Sequence, residues 1–145
     1  MTILNTKLMT VPLTKLTMKV VVEQDVVPFR NKVKEYAESI KMGLLNQTKL
    51  ITAASELVRN MLRYGNGGEA TIEILLNSRN NGVRLVFRDK GPGIADIEQA
   101  MVDGFSTGKS FGLGLPGSKR LVNEFDIQSE LGVGTTVTII KWING

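Results

Sequence analysis

The 145-residue chain has no cysteine and no histidine. Without thiols it forms neither disulfides nor zinc–thiolate centres, and without imidazole it has no His-dependent triad and no histidine to carry a phosphoryl group. Proline is scarce, at four residues, yet 42% of the chain is hydrophobic, the balance of a folded domain rather than a disordered one. No stretch approaches the roughly 20 apolar residues that a membrane helix needs. The start, Met1-Thr2-Ile3-Leu4-Asn5-Thr6-Lys7, lacks the sustained apolar core and small-residue cleavage site of a signal peptide. These absences fit a soluble cytoplasmic protein and leave carboxylate catalysis and oxygen-bound Mg²⁺ open.

What is present points first to one domain. The length suits a single hydrophobic core, and no internal repeat or linker calls for a second. Eighteen Lys/Arg against fourteen Asp/Glu give a net charge of +4. That bias suits an anionic ligand or an acidic partner, or simply a mixed-charge surface, and no basic run is dense enough to require nucleic acid.

Residues 1–14 read as an N-terminal extension: a short edge strand, a partner-binding arm or a partly disordered leader. Alternation at Leu16, Met18 and Val20 predicts a first strand extending towards Val22. Asp25 is placed to cap a helix from Val26, with Pro28 in its first turn and Gly43 at its end. A second helix is expected from Asn46 or Thr48, with Leu50, Ile51, Ala54, Leu57, Val58, Met61 and Leu62 as its apolar stripe. Strands over Ala70–Leu76 and Val83–Asp89 follow, joined through Arg79-Asn80-Asn81-Gly82, where Asn-Gly is a hairpin signal. A short helix near Asp96–Met101, a helix from Leu113 to Asn123 and a last strand over Thr135–Trp142 complete the chain. Grouped strands with helices between them predict an α+β, two-layer sandwich, its mixed but mainly antiparallel sheet covered by helices on one face.

Three features carry chemistry. Asp89 ends a strand just before Gly91-Pro92-Gly93, so its carboxylate can accept an exocyclic NH of adenine while Gly91 and Gly93 allow close backbone approach. An acidic glycine turn alone is a weak signal. Gly104, Gly108, Gly112 and Gly114 would let a loop wrap anionic oxygens, with Lys109 as a positive charge and a following helix offering its amino terminus. Gly108-Lys109-Ser110 is not part of a Walker loop, because only three residues separate Gly104 from Gly108 and no strand feeds the segment. On the second helix Glu56 and Asn60 stand one turn apart. Glu56 is a candidate general base and Asn60 a candidate Mg²⁺ ligand, although such a pair is more often a solvated helix face. Arg59 and Arg63 beside them either steer phosphate or keep that face soluble.

Together these segments resemble the GHKL superfamily of ATP-binding domains, shared by histidine-kinase catalytic domains, gyrase-type ATPases and bacterial anti-sigma serine kinases. Glu56-Leu57-Val58-Arg59-Asn60 is similar to its magnesium-binding helix motif and Asp89-Lys90-Gly91-Pro92-Gly93 to its adenine-binding turn. Gly112-Leu113-Gly114-Leu115 resembles the phosphate lid, and Gly132-Val133-Gly134-Thr135 the final glycine motif near adenine. The likeness spans about residues 16–142, within a kinase domain taken as 15–145, and implies the Bergerat ATP-binding fold. It implies ATP and Mg²⁺ as ligands, contacts from Gly112, Leu113, Gly114 and Thr135, Asn60 on the metal and Glu56 as base.

Asp103-Gly104-Phe105-Ser106-Thr107 and the run from Pro116 to Leu121 are similar to the stressosome switch-kinase branch. That branch phosphorylates serine or threonine on STAS-domain scaffold or antagonist proteins and can then activate a PP2C-type phosphatase. The 1–14 extension and Lys109-Ser110-Phe111, in place of a more glycine-rich lid, depart from the branch pattern. The rival reading is an ATP-gated binding switch with little turnover, directed at a sigma factor, a phosphatase or a scaffold. Neither a nucleic-acid nor a membrane partner is expected. Phe105, Phe111 and Leu115 read as a docking edge or as residues closing the pocket, and Trp142 as sheet or interface packing.

Overall fold

The computed structural model describes residues 11–77, 79–102 and 114–145. Five strands form one sheet in the order β1-β2-β3-β5-β4, and every neighbouring pair is antiparallel. They are β1 (Val11–Val20), β2 (Gly68–Asn77), β3 (Asn80–Asp89), β4 (Glu124–Glu130) and β5 (Gly134–Trp142). Helices α1 (Val26–Ser39) and α2 (Leu44–Tyr64) cover one face, α3 (Ile97–Ala100) is a single turn, and α4 (Gly114–Leu121) packs on α2.

Period-two alternation in the strands and a stripe of 3.6 period in the helices bring their apolar sides together. Phe29 and Val33 of α1 and Leu50, Ala54, Leu57 and Val58 of α2 meet Ile72, Leu85, Phe87 and Ile139 of the sheet in one buried cluster. Phe29 meets Phe87 edge to face, ring centres 5.8 Å apart, the geometry favoured by the ring quadrupoles. Lys141 breaks the apolar pattern on this side of β5, buried to 3% exposure. Burial and the nearby Lys49 ammonium lower its pKa. The opposite sheet face carries polar pairs among a few apolar residues, with Thr17 bonded to Thr71 at 3.0 Å and Arg84 donating to Glu73 at 2.6 Å.

Several boundaries differ from expectation. β1 starts at Val11, inside the 1–14 extension, and pairs with β2 as an edge strand after an irregularity between Pro12 and Thr14. It stops at Val20 because the Asp25 carboxylate takes the N–H groups of Val21 and Val22, at 2.9 and 3.1 Å, and turns the chain. Asp25 therefore caps backwards into a 3₁₀ turn over Glu23–Asp25 and makes no side-chain cap on α1.

Gly43 does not end α1, which stops at Ser39; the turn is made by Lys41 in the left-handed region, φ 63°. Gly43 is instead the N-cap of α2, whose first residue is Leu44 rather than Asn46 or Thr48. Asn81-Gly82 is not the hairpin turn either. Asn77 pairs with Asn80, and Gly82 lies in β3 opposite Trp142, whose indole occupies the space a Cβ there would need. Asp96 caps α3, accepting from Gln99 N at 3.0 Å.

Candidate functional site

The site lies where α2, the ends of β3 and β5, and the start of α4 converge. On α2, Leu57, Asn60, Met61 and Tyr64 recur at i, i+3, i+4 and i+7, so they share one face. With Phe87, Asp89, Ile94, Leu115, Thr135 and Val137 among its other walls, that face encloses a cavity of about 150 Å³. Its lining is mainly apolar, interrupted by the amide of Asn60, the carboxylate of Asp89 and the hydroxyl of Thr135. A flat apolar slot with a few fixed polar groups is what a heterocycle requires.

Asp89 is the anchored polar group. Sheet register sets it opposite Thr135 on β5 and Gly68 on β2, all three turned to the helix side. Its Oδ1 accepts the N–H of Gly91 at 2.9 Å and of Thr135 at 3.2 Å, which leaves Oδ2 for a ligand. Burial raises the Asp89 pKa above its usual value, opposed by these two backbone donors. The carboxylate is thus fixed in direction and partly desolvated, so a ligand N–H regains part of the interaction that burial removes.

Glycines make the approach narrow. A Cβ at Gly65 would collide with the Asp89 carboxylate, and one at Gly91 would sit 2.6 Å from the Gly65 Cα. Gly93 has φ +79°, and a side chain there would run into the Glu130 carbonyl. Gly132 N donates to Pro92 O at 2.9 Å, fastening the turn before β5 onto the Gly-Pro-Gly turn.

Of the sequence-derived candidates, Asn60, Asp89, Gly93 and Thr135 line this one cavity, and Gly91 backs Asp89. Gly114 opens α4, while Lys109, Gly112 and Leu113, with Phe105 and Phe111, lie outside the described residues. Glu56 is off the cavity wall. Its side chain is 47% exposed and its carboxylate stands 3.8 Å from the Arg59 guanidinium. Leu115 is buried and faces the cavity. Sequence reasoning passed over Tyr64, Gly65, Ile94 and Ser129. The run Gly65-Asn66-Gly67-Gly68 held a signal, being richer in glycine than a helix stop requires; Ser129 had none.

The residues present fit an adenine nucleotide. They offer an apolar slot, a carboxylate with one committed oxygen, and backbone turns that side chains would block. An antiparallel five-stranded sheet under two helices, with such a cavity between the second helix and the strand-end glycine turns, defines the GHKL ATP-binding class. The chain belongs to that family: the model for histidine kinase-, DNA gyrase B- and HSP90-like ATPases matches residues 45–143.

Its kinship reaches to the serine/threonine-protein kinases of this ATP-using family. Serine/threonine-protein kinase RsbT of Bacillus subtilis (strain 168) is 39% identical over 125 residues, 86% of this chain and 94% of that protein. The anti-sigma F factor of Geobacillus sp. (strain WCH70) is 33% identical over 101 residues, 66% of this chain and 69% of that one. The crystal structure of the RsbU and RsbW domains of Rv1364c from Mycobacterium tuberculosis shares the fold with a TM-score of 0.58 at 17% identity, covering 90% of this chain and 32% of that chain. The SiaB–SiaC complex from Pseudomonas aeruginosa shares it at 0.54 and 13% identity, over 90% of both chains. Among the described residues no helix is long and apolar enough to cross a membrane.

Proposed function

We propose that this chain is an ATP- and Mg²⁺-dependent serine/threonine kinase of a cytoplasmic partner-switching pathway, acting on a STAS-domain scaffold or antagonist protein. The observation that carries the reading is the convergence of Asn60, Asp89, Gly93 and Thr135, from three separate stretches of sequence, on one apolar cavity. The RsbT kinship over nearly the whole of that relative supports it. Activation of a PP2C-type phosphatase by the same chain is the further role that this branch of the family suggests.

In this mechanism Asp89 Oδ2 would accept a hydrogen bond from the exocyclic amine of the base, and the slot walled by Leu57, Met61 and Ile94 would hold its ring. Asn60 would hold the metal ion through its side-chain oxygen, and the amino terminus of α4 would favour the negative charge of the phosphates. When bound, ATP supplies the γ-phosphoryl group and Mg²⁺ neutralises charge on its oxygens. Glu56, half exposed and outside the cavity lining, orients or deprotonates the partner's hydroxyl. Its exposure suits a base that acts on a second protein rather than on a group held inside the pocket. Phosphoryl transfer asks mainly for alignment and charge stabilisation, so docking of the partner completes the site.

One observation favours a second reading. Glu56 is paired with Arg59 and stands away from the cavity, and anti-sigma F factors are among the relatives. On that reading ATP gates the binding of a sigma factor, with little turnover. The test mixes the protein with γ-labelled ATP, Mg²⁺ and a STAS-domain protein encoded nearby, beside the Glu56→Gln and Asn60→Ala variants. Label on a partner serine or threonine, reduced about 10²- to 10⁴-fold by Glu56→Gln, establishes the kinase. No label despite ATP and partner binding by the wild type moves the assignment to the switch.

A further inference from the structure

We propose that Ser129, which does not line the nucleotide cavity, is a positioning residue for adenine selection, setting the direction of the Thr135 hydroxyl and fastening the Ile94 wall. The inference rests on the adenine-nucleotide reading of the site. Ser129, Thr135 and Asp89 lie in register across β4, β5 and β3. Each turns its side chain to the helix side, so the three form one polar row at the end of the sheet. The Ser129 hydroxyl is the node of that row. It accepts the N–H of Ile94 at 2.7 Å, lies 2.7 Å from Thr135 Oγ1 and reaches the Gly134 carbonyl at 3.2 Å.

Each of the two hydroxyls has a single proton, which permits two arrangements. If Ser129 donates to Gly134 O, Thr135 donates to Ser129 and shows the cavity only lone pairs. If Ser129 donates to Thr135 Oγ1, the Thr135 proton is released towards the cavity that Thr135 lines. Adenine presents an amine donor beside a ring-nitrogen acceptor; guanine presents the reverse, a carbonyl beside an N–H. Asp89 supplies the acceptor for adenine, and the second arrangement supplies the donor next to it. Ser129 accomplishes this while its oxygen also satisfies the Ile94 amide, an otherwise unpaired donor behind the cavity wall. Alanine at this position removes both effects without changing a residue that lines the cavity.

The experiment measures ADP and GDP affinity for the full chain as wild type, Ser129→Ala and Ser129→Thr, with amide exchange of the nucleotide-free proteins. Ser129→Ala is expected to weaken ADP binding about five- to tenfold, the worth of one or two lost hydrogen bonds. GDP affinity should stay within about twofold, and the Ile94 amide should exchange about tenfold faster. Ser129→Thr, which keeps the hydroxyl, should restore ADP binding to within about twofold of wild type. Should Ser129→Ala fail to fold, Ser129→Cys, similar in shape with a weak hydrogen-bonding thiol, carries the same comparison. Unchanged ADP affinity, or equal losses for ADP and GDP, overturns the proposal and leaves the kinase reading standing. A wild type that binds no adenine nucleotide overturns both.

Discussion

Asp89 combines two demands that ordinarily conflict. Burial raises its pKa above the usual 3.8, yet its charge is what a ligand amine needs. A carboxyl whose folded pKa is raised favours the fold only at low pH, and that advantage is lost as pH rises through the folded value. At neutral pH the ionised group is therefore retained at some expense in stability. Asp89→Asn keeps an oxygen for the Gly91 and Thr135 amides, so calorimetry should find its stability within about 1 kcal/mol of wild type. Its ADP affinity should fall about 10- to 100-fold, the worth of a hydrogen bond to a charged group. An isosteric variant that loses stability and keeps ADP would assign Asp89 to the fold instead. Gly93 is the reverse case: at φ +79° and against the Glu130 carbonyl, Gly93→Ala should lose about 2–3 kcal/mol in denaturant titration. Asp89 and Gly93 were legible because an acidic residue and glycines adjoin in sequence. Gly65 and Ser129 were not, since Gly65 matters through Asp89 and Ser129 through Ile94 and a cross-strand neighbour, Thr135, which only the folded sheet brings to them.

Among the elements, the central strands were read correctly, and the errors fell where a side chain had two equally good local uses. Asp25 suited a helix cap but bonds back to Val21 and Val22. Gly43 suited a helix end but begins the next helix. Asn81-Gly82 suited a turn but lies within β3, where glycine makes room for the Trp142 ring. Local chemistry permits both uses in each case, and packing chooses. The sheet face opposite the helices shows the same logic in charge. The Arg84 bond lowers the Glu73 pKa from its usual 4.5, with burial opposing, so the ionised pair favours the fold above that value. That contribution is lost as pH falls through the lowered folded pKa. Glu73→Gln should lower stability by about 1 kcal/mol near neutrality. The gap between variant and wild type should narrow in melts taken at successively lower pH below 4.5. A gap of the same size at every pH would mean that shape, not charge, holds the cross-strand pair.

At the scale of the whole molecule, the nucleotide cavity is the place where otherwise separate pieces of chain share a boundary. Its walls come from α2, β3, the Gly-Pro-Gly turn, α4, β4 and β5, and α4 has its main packing partner in α2. A ligand seated there binds the assembled fold and not the unfolded chain, so nucleotide should act as a structural component. With free ADP a hundredfold above its dissociation constant, mass action adds about 2.7 kcal/mol. In a domain of this size that raises Tm by about 5–10 °C. The shift should grow with the logarithm of ADP concentration, and at that same concentration it should fall to about half or less in Asp89→Asn, whose affinity is expected to be about 10- to 100-fold weaker. Asn60→Ala should keep the shift given by ADP alone and lose any increment added by Mg²⁺, because its amide serves the metal and not the base. If Asn60→Ala instead lost the ADP shift without Mg²⁺, Asn60 would belong to the nucleotide pocket's packing, and its role in holding the ion would fall.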